Sequence, residues 1–182
     1  MRAPASTLPS TNTIMRPALL LATASTLAVS AGASAFELKA ASPDFTISVP
    51  NLPAIRLDAQ ATANPDISSE MAGEDGTYKF TLLVTKVPKE TTTRICAGSF
   101  LRSLVARRGM PDKDNIYRAP LDENTFLVLY ILGEGGRRQL HAHLLSAAST
   151  THCIEAHISR GLRDGEDEDS WRGSFSGARI RQ

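Results

Sequence analysis

The sequence predicts an α+β domain, in which helices pack on an antiparallel sheet of about five to six strands. Short segments rich in β-branched and aromatic residues recur along the chain, with Gly, Pro and polar residues between them. One segment in the middle instead carries apolar residues at helical spacing. The last predicted strands follow one another through short turns, as antiparallel strands do.

The first predicted strand is Phe45–Val49, which alternates apolar and polar residues before a proline. Residues 36–43 before it read as an irregular lead-in. Ile55–Leu57 is a candidate short strand, and the polar residues 61–76, which include a proline and two glycines, predict a loop.

A strand at Tyr78–Val84 precedes the first predicted helix. Thr91–Thr93 supplies N-cap residues, and from Ile95 the apolar side chains recur at helical spacing. Gly109 and Pro111 end the helix. Cys96 falls on the apolar side, so it is predicted to face the sheet.

Three further strands are predicted after a short candidate strand at 116–118. Thr125–Leu132 is nearly all apolar, as expected for a central strand covered on both faces. A glycine-rich hairpin turn leads to Arg137–Leu145, and another turn leads to Thr151–Ser159. The sheet is therefore predicted to end in consecutive hairpins.

A second helix is predicted near the end of the chain. The acidic run 164–169 suits a helix N-terminus, and Trp171 and Phe175 share one helix face. The predicted order of elements is β-β-α-β-β-β-α.

Residues 1–35 have the pattern of a secretory signal peptide. Arg2 and Arg16 are the only charged residues, Ala18–Val29 is a short uncharged and mostly apolar run, and small residues follow. Cleavage is expected after Ala35, which leaves Phe36 as the first residue of a single globular domain at 36–182. An uncleaved anchor is the alternative, although the apolar run is shorter than the ~20 residues of a membrane span.

We therefore expect a periplasmic or secreted protein. Met15 is an alternative start of translation, which would make residues 1–14 an upstream extension. The chain has 20 Lys and Arg against 19 Asp and Glu, and two of the arginines precede the predicted cleavage. Such a balance argues against nucleic acid as a partner. No segment after the signal peptide could span a membrane.

Two cysteines in an exported chain most simply form a disulfide, here Cys96–Cys153. The alternatives are a pair of free thiols or metal ligation.

All four histidines lie between residues 141 and 157, and the strand period puts His141 and His143 on one face. Cys153 and His157 share a face of the next strand. If His143 stands opposite Cys153, these side chains gather into a candidate zinc or copper site. If Leu144 stands opposite Cys153, the group disperses. The second register is preferred, because it places leucines instead of histidines on the face of Cys153.

No other pattern indicates catalysis. Residues 173–177 read G-S-F-S-G, with phenylalanine where a nucleophile elbow requires serine. The acidic pair Asp122–Glu123 has no identifiable catalytic partner, and the H-E-x-x-H motif is absent. We expect a non-enzymatic protein with no cofactor.

Four segments together resemble the PsbP-like α/β/α superfamily, which is named for an extrinsic subunit of photosystem II. They are FTISVPNLP, FLVLYILGEGGRRQLHAHLL, HCIEAHISR and DEDSWRGSFSGARI, within residues 45–180. The resemblance implies an α/β/α sandwich without catalytic activity that binds a protein partner or serves as an envelope accessory. Some exported members of this superfamily look like immunity or secretion-associated proteins.

The sequence is therefore compatible with two functions. The first is an exported binding module, of immunity or inhibitor type, that recognises an unknown protein partner through residues 61–76 and 121–124, because loops on rigid scaffolds carry function. The alternative is a transition-metal-binding protein or metal-dependent hydrolase that uses His141, His143 and His157.

Overall fold

The computed structural model describes residues 35–134 and 136–182. In these residues it contains ten strands, two α-helices and a 3₁₀ helix at Lys113–Asn115. The elements are β1 (Ala35–Ala41), β2 (Asp44–Pro50), β3 (Asp58–Ala59), β4 (Ile67–Glu74), β5 (Tyr78–Lys86), α1 (Thr93–Val105), β6 (Tyr117–Pro120), β7 (Phe126–Glu134), β8 (Arg137–Ser149), β9 (His152–Gly161), α2 (Glu168–Phe175) and β10 (Arg179–Arg181).

The strands form two antiparallel sheets, which confirms the α+β class but not the predicted sheet size. The larger sheet has seven strands in the order β3-β4-β5-β9-β8-β7-β6. The smaller has three strands in the order β1-β2-β10 and joins the two ends of the described chain. The prediction of a single sheet of five to six strands is therefore wrong.

The main hydrophobic core lies between the two sheets. Alternate residues of β2, such as Phe45 and Ile47, point from the small sheet towards the large one. Fully buried side chains of β5, β7, β8 and β9 in the large sheet pack against them, among them Leu82, Leu129 and Leu144. Burial alternates along β2 and β5, as expected for strands packed on one face, whereas residues 142–148 of β8 are all buried because both faces of the sheet are covered there.

The helix α1 packs on the opposite face of the large sheet, mainly against β8. The Thr92 hydroxyl caps its N-terminus by accepting a hydrogen bond from the backbone N–H of Ile95. Ala97 and Leu104 are buried against Val128 of β7 in a second, smaller core. The prediction of a helix that ends before Gly109 is confirmed.

The helix α2 packs at the edge of the main core. Asp167 caps it by accepting a hydrogen bond from Ser170 N–H, and Trp171 and Phe175 turn towards the core as predicted. The guanidinium of the buried Arg160 stacks 4.4 Å from the Trp171 ring and forms an ion pair with Glu166. These contacts hold the segment after β9 against the sheet.

Three strands occur where the sequence predicted irregular structure. Residues 36–43 contain most of β1, and residues 61–76 contain β4. The short strand lies at Asp58–Ala59 and not at Ile55–Leu57. Propensity is weak in ISSEMAGE, so pairing with β5 and not local preference makes β4 a strand.

The predicted signal peptide lies outside the described residues except for Ala35. The side chain of Phe36 is buried in the main core, so the expected cleavage would leave a core residue at the new N-terminus. Of the helices in the described part of the chain, none has the length and apolar character needed to cross a membrane.

Candidate functional site

The pairing of β8 with β9 gathers the histidines under α1. His143 lies opposite His157, and Leu144 lies opposite Ala156. The preferred register, with Leu144 opposite Cys153, is therefore wrong, and so is the alternative with His143 opposite Cys153, because Ala147 lies opposite this cysteine. His141, His143 and His157 share the helix side of the sheet with Cys153 and Glu155, because residues two apart on a strand share a face.

Burial of His143 is possible because both of its ring nitrogens have partners. Nε2 lies 3.1 Å from the Tyr130 hydroxyl, and Nδ1 lies 2.9 Å from Glu155 Oε1. The tautomer that satisfies both has Nδ1–H donating to Glu155 and Nε2 accepting from the tyrosine. Sequence reasoning expected a penalty for histidines on this face, and these bonds remove most of it.

The other two histidines bond to each other. His141 Nδ1 lies 3.0 Å from His157 Nε2. The rings of His143 and His157 stack with centroids 4.3 Å apart, and the Phe100 ring of α1 lies 4.5 Å from His143. We call Tyr130, His141, His143, Glu155 and His157 the imidazole cluster.

The environment keeps these imidazoles neutral. Burial lowers the pKa of His143 to about 3, and the neighbouring His141 and the Arg107 guanidinium act in the same direction. Burial and the two other imidazoles lower the pKa of His157 to about 3, against the opposite effect of Glu155. Burial also lowers the pKa of His141. The contact of His143 with Glu155 is therefore a hydrogen bond from a neutral imidazole and not an ion pair.

The acidic groups of the cluster shift in the opposite sense. Burial raises the pKa of Glu155, although His157 and Arg107 act to lower it. Burial, helped by the Glu155 charge, raises the pKa of Tyr130 to about 12. The raised pKa keeps the Tyr130 hydroxyl protonated near neutral pH, so it can donate its hydrogen to His143 Nε2.

A cleft of about 380 Å³ opens beside the cluster, between α1 and the strands β5 and β9. Its walls are the face of α1 from Ile95 to Arg107 and the segment Val87–Thr91, and its floor includes Cys153–Glu155. This volume is in the range of small-ligand sites and side-chain pockets, about 300–1,000 Å³.

The cleft exists because one helix is too narrow for the sheet. Seven strands about 4.8 Å apart span roughly 29 Å, whereas a helix is about 10 Å across. The main contacts of α1 are with β7, β8 and β9. On this side Leu83 of β5 remains only partly buried, and the step from helix to sheet forms the cleft.

Positive charge dominates the helix wall of the cleft. Arg102 and Arg107 line it, Lys89 lies on the segment Val87–Thr91, and none of the three forms an ion pair within the described residues. Glu90 and Glu155 are the acidic lining residues. Ile95 adds an apolar side chain that is 52% exposed.

The predicted disulfide between Cys96 and Cys153 is present and borders this cleft. The Thr91 hydroxyl oxygen lies 3.4 Å from Cys96 Sγ and 3.8 Å from Cys153 Sγ. The bond ties the first turn of α1 to the start of β9, so it fixes the depth of the cleft at this end.

The three predicted metal ligands are thus brought together, but four of their ring nitrogens already have hydrogen-bond partners. His141 and His157 bond to each other, and His143 bonds to Tyr130 and Glu155. In the described part of the chain, no group of three or more His, Cys, Asp or Glu side chains is arranged to hold a metal ion. Within the imidazole cluster, His141 Nε2 is a buried ring nitrogen without a hydrogen-bond partner.

The predicted contact loops lie at the end of the large sheet where the cleft opens. Residues 61–66 precede β4, and residues 121–124 connect β6 to β7, with β5, β9 and β8 between them. Asp122 forms an ion pair of 2.9 Å with Arg179, which ties this loop to β10. Residues 173–177, the G-S-F-S-G segment, span the end of α2 and contribute Phe175 to the main core.

Sequence reasoning missed Tyr130, Phe100 and the cationic wall of the cleft. The sequence does contain a signal for the cationic wall, because no Asp or Glu occurs between Thr91 and Pro111, whereas four arginines do. Tyr130 had no such signal, since an aromatic residue in an apolar strand is ordinary.

Comparisons with known proteins do not place the chain in a family. No protein-family model matches it, and no curated protein matches it. A crystal structure from Bacteroides thetaiotaomicron VPI-5482 aligns with a TM-score of 0.40 and 10% identity, over 76% of this chain. The aligned part is 45% of that other chain, and a similarity this low carries no argument about function.

Proposed function

We propose that the protein is an exported, non-catalytic binding domain that recognises a protein partner through the cleft beside α1. The signal-peptide pattern supports export, and a disulfide suits an oxidising compartment such as the bacterial periplasm or the exterior. The resemblance to the PsbP-like superfamily supports an accessory, immunity-type or inhibitor-type role. The three-stranded sheet lies on the face where an α/β/α sandwich carries helices, so the support from this resemblance concerns the role and not the layer order.

The observation that carries the proposal is the cleft itself. It combines a partly exposed apolar side chain, Ile95, with an aromatic side chain, Phe100, and a rim of cations. Interfaces have this composition, with an apolar centre and a polar rim. The imidazole cluster then serves as a rigid polar floor under α1.

The charges of the cleft indicate an acidic partner. Arg94, Arg102, Arg107 and Arg108 lie in or just after α1, and no acidic residue occurs among residues 91–111. Complementary charge raises the association rate and selects against basic partners. We infer that the partner offers an acidic segment with an apolar side chain that contacts Ile95 and Phe100.

Site-specific photo-crosslinking in the producing cells tests this proposal. A crosslinking amino acid at Ser103, which lines the cleft, is expected to capture one partner, whereas the same amino acid at the exposed Thr77, in the turn between β4 and β5 at the opposite end of the sheet, is not. The double charge reversal of Arg102→Glu and Arg107→Glu should abolish capture from Ser103.

The matched control reverses two exposed arginines outside the cleft, Arg137→Glu and Arg181→Glu, and should leave capture unchanged. Equal crosslinking from Ser103 and Thr77, or capture that survives the reversal in the cleft, would contradict the proposal.

The alternative function is transition-metal binding, which the gathering of His141, His143 and His157 favours. Elemental analysis of the purified protein separates the two functions. A stoichiometric transition metal that is lost in the variant His141→Ala/His143→Ala would support the metal site and any metal-dependent hydrolysis there. A partner captured by metal-free protein would support the binding module.

A further inference from the structure

The two cysteines of the disulfide are unequally exposed. Cys96 is 4% exposed on the buried face of α1, whereas Cys153 is partly exposed at the floor of the cleft. An incoming thiol therefore reaches Cys153 Sγ first. Attack at this sulfur makes Cys96 the leaving group.

The surroundings of Cys96 favour a thiolate there. Cys96 is the fourth residue of α1, and the first turn of that helix has no acidic residue. The positive end of a helix dipole and nearby cations both stabilise thiolates. Arg102 and Arg107 supply such cations in the same cleft.

The Thr91 hydroxyl is placed to bond the leaving sulfur. Its oxygen is 3.4 Å from Cys96 Sγ, and because a disulfide sulfur carries no proton, the hydroxyl is the donor. A thiolate would accept this bond more strongly than the disulfide does, because charge-assisted hydrogen bonds are stronger. A leaving thiolate that is better stabilised departs faster.

We propose that the Cys96–Cys153 disulfide is a thiol–disulfide exchange site that opens into the cleft and takes electrons from a dithiol. In the first step, a thiolate of the dithiol attacks Cys153 Sγ, a mixed disulfide forms, and the bond to Cys96 breaks. Cys96 leaves as a thiolate and takes a proton from water. In the second step, the other thiolate of the dithiol attacks its own sulfur in the mixed disulfide and releases Cys153.

The exchange breaks the disulfide of the protein and forms a disulfide in the dithiol. The dithiol loses two electrons and becomes a disulfide, and the protein gains two electrons and holds two thiols. The inference goes beyond the proposed binding function and needs no acidic partner. Its tests use small thiols only, so their outcome is independent of the crosslinking experiment.

Reduction of the wild-type protein by dithiothreitol in low concentrations of urea is the first test. A disulfide that is attacked in the folded state is reduced at a rate nearly independent of urea well below the unfolding midpoint. One that reacts only after global unfolding is reduced at a rate that rises with urea as steeply as the unfolded population. The flat profile is expected, and the steep one would overturn the proposal.

Glutathione, a monothiol, shows which sulfur is attacked. After partial reaction and alkylation with iodoacetamide, peptide mass mapping should find glutathione on Cys153 and the alkyl group on Cys96. Glutathione mainly on Cys96 would refute the assigned direction of attack.

A substitution of the hydroxyl tests the stabilisation of the leaving thiolate. Thr91→Val keeps the side-chain shape and should slow reduction by roughly tenfold, the value of one hydrogen bond to a charged group. The control Thr81→Val removes a hydroxyl from β5 on the side of the sheet that carries Leu83, outside the cleft. It should leave the rate of reduction unchanged. Equal rates in both variants would contradict the role of Thr91, and the two wild-type tests hold even if Thr91→Val does not fold.

Discussion

Acidification tests the imidazole cluster most directly, because the folded and unfolded chains bind protons differently. His143 and His157 have a pKa of about 3 in the folded protein, against about 6.5 in an unfolded chain. A depressed folded pKa means that the unfolded state takes up protons first. The stability of the fold is therefore complete above about pH 6.5 and falls as the pH drops towards 3.

The loss in the free energy of unfolding at pH 4.5 follows from these pKa values. Protonation of one histidine in the unfolded chain alone, two pH units below its pKa, lowers the free energy of unfolding by about 3 kcal/mol. His143 is almost fully buried and should contribute most of that amount, while the partly exposed His157 contributes less. Glu155 offsets part of the loss, since its raised folded pKa adds stability on acidification.

We therefore expect a net loss of about 3 kcal/mol between pH 7 and pH 4.5, against a typical domain stability of about 5–15 kcal/mol. Urea unfolding at the two pH values, followed by fluorescence of the single tryptophan, Trp171, measures it. In His157→Gln the amide can still bond His141, and the pH-dependent loss should shrink by about 1 kcal/mol or more.

His152→Gln is the matched control, because His152 lies outside the cluster and bonds the hydroxyls of Ser149 and Thr151. Its loss on acidification should equal that of the wild type. If His157→Gln also loses as much stability on acidification as the wild type and His152→Gln do, the histidines of the cluster are not held neutral and the electrostatic argument fails.

Two further changes test the architecture by urea unfolding. The double replacement Cys96→Ala/Cys153→Ala opens a link across 57 residues of sequence and should lower the free energy of unfolding by about 4 kcal/mol; a change below about 1 kcal/mol would contradict it. Gly73→Ala would place a Cβ atom 2.0 Å from the Arg56 carbonyl oxygen and should destabilise the fold by about 2 kcal/mol or more. Gly161→Ala meets nothing within 4 Å and should change stability by less than about 0.5 kcal/mol, so equal effects of the two alanines would refute the close approach.

Local signals in the sequence were enough for the helix α1 and for one strand that is buried on both faces, although this strand lies next to the edge of the sheet and not at its centre. A threonine N-cap, apolar spacing and the stop at Gly109 are properties of neighbouring residues, so they predict α1 without knowledge of the fold. The same holds for the apolar run that became β7. The disulfide followed from composition and the predicted buried face of Cys96.

Local signals were not enough for the second sheet. β10 has only three residues, and it pairs with β2, which lies more than a hundred residues earlier in the chain. Its place is held by contacts such as the hydrogen bond of 2.8 Å from Ile180 N–H to the Thr125 hydroxyl. No short window of sequence contains both partners of such a pair.

By itself, the sequence determined which residues alternate along β8 and β9. It did not determine which face of β8 lies on the same side of the sheet as a given face of β9. Leu140, Ala142 and Leu144 lie on the same side as Ile154, Ala156 and Ile158 because the three-stranded sheet buries that whole side. With the apolar side committed to this core, the histidines had to turn towards α1. The tertiary structure alone decided this register, since a shift by one residue would bury the histidines between the sheets and expose the core.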